Sequence, residues 1–387
     1  MERNEYTMKT IMFSLSLLIL ALTLVSCTVP ESNPAGAAYV DRSIPAVQKT
    51  NSIYLKEAEP VYTDSPSNAS SYYLYAYNGA TPDDRVQSVI LFPPVVDSLA
   101  LDSVKLVLHQ SASNAENWAF SVTARLWNQE WQDAMDAGEV FQDELIPDHI
   151  RTWEITEDST GAATYSIPLE TERVENWQDT AGVVLMIDPA EVNVYVRFDS
   201  KQNTDDLAPR LDFYMDGDTV VTESVSPVSD TYYVRKPESL RDDLLFLDNG
   251  AHDRMRLEFD LSDIPEDVTI NLAQLVLFAD TLESIPDHSD YYNVNVYRLT
   301  EDYADTLAYN ASYSTGTLDT GEEITVITVT TIVQGWTSST YDNYGFLIKG
   351  FNEGLTMDRR GFYVDLEDST RMPRLDLYVT PALASQD

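Results

Sequence analysis

Cysteine, histidine and basic residues are scarce in this chain, and each shortage closes off a class of function. Among 387 residues there are one cysteine and four histidines. No disulfide can therefore form within the chain, and the scattered His109, His149, His252 and His288 offer no pair at zinc-ligand spacing. Lysine and arginine number 24 against 64 aspartates and glutamates, giving a formal charge of −40 and a pI near 4.1. Phosphate backbones need clustered bases to displace their counterions, so nucleic acid is excluded as a partner. Also missing are a Gly-x-Ser-x-Gly elbow, a glycine-rich phosphate loop and a His-Glu-x-x-His pair. Acid pairs for glycoside hydrolysis arise at any separation when 64 carboxylates are present, so their spacing decides nothing. The expectation is a protein without catalysis.

Long apolar runs are absent except at the start. Lys9 precedes Ile11–Leu24, a run too short for the roughly 20 residues of a membrane span and suited to the roughly 7–15 of a signal-peptide core. It ends in Leu24-Val25-Ser26-Cys27, which resembles the bacterial lipobox, so the single cysteine stands where lipoprotein processing needs a thiol. Residues 1–26 are expected to be removed and Cys27 to carry lipid, fixing the chain to a membrane without spanning it. Thr28 follows Cys27, and no aspartate stands there as an inner-membrane retention signal. Outer-membrane placement, periplasmic or surface-exposed, is the expectation. Residues 27–46, rich in Pro, Ala, Ser and Gly, read as a flexible tether.

What is abundant is strand pattern. Short alternating or apolar segments such as 73–77, 86–92, 104–109, 183–187 and 194–198 alternate with Asp, Asn, Gly, Pro and Ser clusters, the mark of an antiparallel all-β sandwich. Helical periodicity is confined to residues 128–140. The strand plan is written twice. Val104-Lys-Leu-Val-Leu-His109 matches Ala273-Gln-Leu-Val-Leu-Phe278, Val174-Glu-Asn-Trp177 matches Val333-Gln-Gly-Trp336, and Pro209-Arg-Leu-Asp212 matches Pro373-Arg-Leu-Asp376. Two modules are expected, residues 47–217 and 228–381, with a linker over 218–227 and a tail over 382–387.

In the second copy, Ser229–Arg235, Asp253-Arg-Met-Arg-Leu-Glu-Phe-Asp-Leu-Ser262, Val329–Trp336, Tyr344-Gly-Phe-Leu-Ile348 and the closing Pro-Arg-Leu occur in an order that resembles the DNRLRE-type modules. These are tandem jelly-roll β-sandwiches of bacterial surface proteins, some classed as carbohydrate-binding. The resemblance implies two tandem antiparallel jelly-roll sandwiches with a binding role. The family's late Phe-x-Ser-basic element stands in the first copy as Phe198-Asp-Ser-Lys201, whereas the second has Tyr363-Val-Asp-Leu-Glu367. The fold is therefore expected to carry over better than the ligand.

Aromatic residues give the ligand expectation. Sugar rings stack their CH faces on exposed indole and phenol rings. Trp118, Trp131 and Trp153 of the first copy are the expected contacts, with Tyr73 and Tyr75 from the Tyr72–Tyr77 cluster; Trp127, Trp177 and Trp336 are assigned to the core. Asp248, Asn249 and Asp253 could bind a structural calcium through their oxygens, although Asn249-Gly250 is also the chemistry of a plain hairpin turn. Polysaccharide is the leading partner, a structural or adhesive role among envelope proteins is the second reading, and an enzyme acting on polysaccharide is the third.

Overall fold

The computed structural model of the chain describes residues 47–381 except 51, 63–70, 80–83, 94–100, 114–116, 119, 127–156, 159–162, 170–180, 188–192, 204–205, 216–220, 236–240, 266–267, 286–290, 303–306 and 320. The expected leader, lipidated Cys27, tether, tail and 128–140 helix lie outside these residues. Val47–Thr380 forms one compact unit. It is all-β: antiparallel strands build two sheet systems, each folded over its own apolar core. Among the described residues no helix is long and apolar enough to cross a membrane.

Body 1 is formed by β3 (Tyr73–Asn78), β4 (Arg85–Phe92), β5 (Leu101–Ser113), β6 (Asn117–Trp118), β7 (Phe120–Leu126), β8 (Glu157–Asp158), β9 (Ala163–Leu169), β10 (Ala181–Ile187), β11 (Val194–Asp199), β12 (Arg210–Met215), β13 (Glu223–Val225) and β14 (Ser229–Arg235). One layer runs β14-β4-β10-β7 and the other β13-β12-β5-β9, joined through β3 and β11; β6 and β8 pair separately. Leu74, Ile90, Phe92, Val104, Leu106, Leu108, Ile167 and Phe213 fill the space between the layers. They alternate along each strand because successive side chains point to opposite faces.

Body 2 repeats the plan with β15 (Leu244–Asp248), β16 (Arg254–Phe259), β17 (Thr269–Ile285), β18 (Tyr291–Leu299), β19 (Tyr309–Asp319), β20 (Ile324–Thr328), helix α1 (Thr330–Thr337), β21 (Phe346–Gly350), β22 (Arg359–Tyr363) and β23 (Arg374–Thr380). Its remaining strands come from the other end of the chain. β1 (Gln48–Lys49) pairs with β23, and β2 (Ile53–Val61) joins β16 to β23. The outer layer is therefore β2-β16-β21-β18-β19 and the inner layer β1-β23-β17-β20.

Sheet membership thus departs from sequence order at both expected boundaries. Ser229–Arg235, which reads as the opening strand of the second module, is laddered to β4 of body 1 from Ser229↔Leu91 to Arg235↔Arg85. Glu223–Val225, inside the expected linker, is a strand against β12. Ile53–Val61, expected in the first module, lies in body 2, where Leu55 enters the core. Body 1 is a continuous stretch, while body 2 is closed by the N-terminal strands. Nothing in the hydrophobic pattern of a strand states which of two similar sheets it will join.

The helix over Thr330–Thr337 was not anticipated from its β-branched sequence. Val333 and Trp336, three residues apart, face the core together. Thr330 Oγ1 accepts from Ala273 N at 3.0 Å and Gln334 Oε1 from Ile270 N at 2.6 Å, so α1 satisfies amides of β17. At Gly335 a Cβ would fall 2.0 Å from Tyr341 Cζ, so any larger residue there needs the Tyr341 ring to move aside.

Between the bodies lies a third cluster of Tyr75, Tyr77, Val86, Tyr195, Tyr232 and Met357. Tyr232 donates to Thr356 O at 2.7 Å and Ser71 to Leu355 O at 2.8 Å. At this seam Arg359 donates to Asp248 at 2.7 Å and to Asp84 at 2.8 Å, one acid from each body.

Asp230 on β14 is buried and accepts from Lys201 N at 2.7 Å. Burial pushes its carboxyl up to about 6 from the usual 3.8, against the lowering effect of Lys201. Because the folded value lies above the unfolded one, the stabilisation is complete below pH 4 and is lost as pH rises through 6. Asp230→Asn, which keeps an acceptor for Lys201, is therefore expected to stabilise body 1 by about 2–3 kcal/mol at pH 7 and by almost nothing at pH 4. Urea unfolding at the two pH values reads this directly.

Candidate functional site

The outer layer of body 2 presents a polar and aromatic face on β18 and β19. Along β18, Tyr292, Val294 and Val296 point into the core, so Tyr291, Asn293, Asn295 and Tyr297 point outward. Across the ladder, Asn293 faces Thr317, Asn295 faces Thr315 and Tyr297 faces Tyr313. Thr317 donates to Asn293 Oδ1 at 2.9 Å and Thr315 to Asn295 Oδ1 at 3.0 Å. The Asn295 amide in turn donates to Tyr297 OH at 3.4 Å. The result is a ladder of fixed amides and hydroxyls between aromatic ends, with Tyr291 53% and Tyr313 49% exposed. Six residue steps lead from Tyr291 to Tyr297, a span of about 20 Å along the strand.

The Tyr297 ring is buried with Val61, Leu299 and Leu347, and lies 5.0 Å from that of Tyr309 and 5.2 Å from that of the exposed Tyr313. Lys349 on β21 sits 5.5 Å from the Tyr297 ring centre and pairs with Glu353 at 3.3 Å. Arg254 grips the same Glu353 through both oxygens, at 2.6 and 2.7 Å. Burial works against the Glu353 charge, but the Arg254 bonds and the charges of Arg254 and Lys349 hold its carboxyl below the usual range. Arg256 on β16 is held by Glu258 at 2.7 Å and Glu59 at 3.0 Å. Arg254, Arg256 and Lys349 on this face thus each have an acid partner, and β2 supplies Glu57 and Glu59 to Arg256.

On β4 of body 1 the corresponding side is covered. Gln87, Val89 and Leu91 on β4 occupy the positions of Arg254, Arg256 and Glu258, and all are buried, with Val89 at 0% exposure.

The residues expected at a ligand fall elsewhere. Tyr75 is fully buried at the seam, its ring 4.9 Å from Tyr232 in an edge-to-face contact, so that expectation is corrected: a ring without exposed surface cannot stack on a sugar. Tyr73 is partly covered, with the Arg197 guanidinium 4.1 Å from its ring centre. Trp118 ends β6, but its side chain, like all of Trp131, Trp153, Trp127 and Trp177, lies outside the described residues. Trp336 is in the body 2 core as expected.

Asp248, Asn249 and Asp253 occupy a hairpin turn closed by mutual Asp248–Asp253 backbone bonds, with His252 at φ 57°. Asp248 Oδ1 accepts from Ala251 N at 2.8 Å and Oδ2 from Arg359. Asn249 Oδ1 accepts from Tyr292 at 3.3 Å. An arginine thus stands where the calcium expectation would place the cation, and among the described residues no group of three His, Cys, Asp or Glu is arranged to hold a metal. His109 bonds Asp199 at 2.5 Å, a locally satisfied strand pair.

Sequence reasoning passed over Tyr291, Asn293, Asn295, Tyr297, Tyr309, Tyr313, Thr315 and Thr317. The signal was present: Tyr291-x-Asn-x-Asn-x-Tyr297 is a polar–aromatic series of period two on a strand whose other face is apolar.

Residues 192–372 match the family model described as TGF-beta propeptide. No curated protein matches the chain. Among solved structures, the N-terminal CBM22-1-CBM22-2 tandem domain from Paenibacillus barcinonensis Xyn10C is similar at 8% identity and a TM-score of 0.20, over 88% of this chain and 98% of that one. A likeness at that level does not place a ligand.

Proposed function

We propose that this protein is a non-catalytic lipoprotein, held on the outer membrane through Cys27, that binds a neutral polysaccharide on the outer face of body 2. The observation that carries the reading is the exposed row of Tyr291, Thr317, Thr315 and Tyr313, backed by the buried side chains of Asn295 and Tyr297. Exposed phenol rings stack on sugar CH faces, and a pre-arranged row of amides and hydroxyls meets their hydroxyl groups. Because each cation on the face is already neutralised, and the chain carries −40 overall, an anionic glycan finds no free positive charge there.

Affinity electrophoresis through gels containing neutral glucan, xylan or mannan tests this. Tyr313→Ala is expected to weaken retardation about tenfold, the loss of roughly 1–1.5 kcal/mol of stacking. Retardation that survives Tyr313→Ala and disappears with Trp118→Ala would move the site to body 1, and a preference for alginate over every neutral glycan would contradict the charge argument.

A further inference from the structure

The strand pair β1–β2 belongs by covalent order to the stretch before body 1, yet every ladder it makes runs to body 2: Gln48↔Val379 and Lys49↔Tyr378 on β23, Ile53↔Leu375 and Tyr54↔Arg374 on β23, and Leu55↔Phe259 through Val61↔Arg254 on β16. Its ion pairs do the same. Lys49 meets Asp376, Lys56 meets Glu258, and Glu57 and Glu59 meet Arg256. Leu55 sits in the body 2 core and Val61 in the cluster with Tyr297, Leu299 and Leu347.

Body 1 shows the rule from which this arrangement departs. Its closing pair, β13–β14, follows directly after it in the chain. Body 2 is instead closed by residues 48–61, returned across the whole of body 1. The groove between β16 and β23 reads only strand register, the apolar contacts of Leu55 and Val61, and the Arg256–carboxylate contacts. Those features are identical in every copy of the chain.

We propose that β1–β2 is exchangeable between copies, so that body 2 of one molecule is closed by residues 48–61 of a second. Exchange alters none of the ladders or ion pairs named above. It replaces an intramolecular closure, favoured by an effective concentration in the millimolar range, by an intermolecular one that copies crowded on a surface can match. The contact is heterologous, with the N-terminal strands of one copy on the C-terminal body of another, so it generates either a reciprocal pair or a head-to-tail series.

The experiment uses the full chain with Cys27→Ser, which removes the sole native thiol. Glu57 and Glu258 are direct partners across the β2–β16 ladder. One chain carries Glu57→Cys, a second Glu258→Cys, and the two are mixed, refolded together at high concentration and oxidised. A disulfide-linked heterodimer is expected, several-fold above that from Glu57→Cys mixed with Glu322→Cys, which lies beyond β19 and away from the ladder. A chain bearing both Glu57→Cys and Glu258→Cys, oxidised as a monomer, shows that the cysteines are tolerated. Locked in this way, it is expected to remain monomeric by light scattering after the same refolding. Heterodimer at the control level, or assemblies forming equally well from the locked chain, would overturn the proposal.

Discussion

A fragment spanning residues 71–235 is expected to fold cooperatively by itself, and one spanning 47–217, the boundary that the internal repeat suggests, is not. The first retains β14, whose seven-residue ladder fills the edge of β4, and keeps Tyr232 against Tyr75. It also keeps Ser200 bonded to Ser71 O and Tyr72 O. The second loses that ladder and exposes the edge of β4, while carrying Leu55 and Val61 without the core they enter. Bare strand edges and orphaned apolar residues promote aggregation. Residues 236–381 alone should likewise fail. Fusing 47–62 after Thr380 should rescue them, because Gln48 and Val379 are ladder partners and the new junction is short. Circular dichroism, thermal melts and light scattering on the four fragments check this; a well-folded 47–217 would contradict the strand assignment.

The second large effect is expected at the seam. Arg359 is buried, and although burial opposes its charge, Asp248 and Asp84 hold its pKa above the usual value. The Asp248 side chain is 0% exposed. Arg359→Met would leave that carboxylate buried without its partner, a loss expected to cost about 3–5 kcal/mol. Adding Asp248→Asn should recover much of it, since an amide needs no counter-charge, and a double-mutant cycle in urea would measure the coupling. A loss below about 1 kcal/mol for Arg359→Met would mean that water or another group already compensates Asp248.

These two predictions also mark what could be read in the sequence and what could not. Strand identity was legible, because short β-forming runs bounded by turn residues mark β4 and β12, and apolar alternation marks β16 and β18. So was the duplication, since the core positions of β5 and β17 share a residue pattern. The destination of β2 and β14 was not, because strands of a repeat carry interchangeable patterns and only the closed three-dimensional path chooses between the two grooves. Tyr75 shows the same limit on a smaller scale. The sequence placed Tyr73, Tyr75 and Tyr77 together on one strand, but which neighbour covers them depends on β14 arriving from residues 229–235. Asp248 was visible as a turn residue, whereas its Arg359 partner stands far along the chain, beyond the reach of local spacing. The aromatic group of Tyr297, Tyr309 and Tyr313 was within reach of the sequence, since Tyr291-x-Asn-x-Asn-x-Tyr297 has the period of a strand.

Ligand is expected along β18 and β19 of body 2. Hydrogen–deuterium exchange of the full chain with and without a neutral polysaccharide that retards it tests this most directly. Protection concentrated in residues 291–299 and 309–319, and lost with Tyr313→Ala, is the predicted result. Protection confined to residues 101–126 and 157–169 of body 1, with β18 and β19 unchanged, would contradict it.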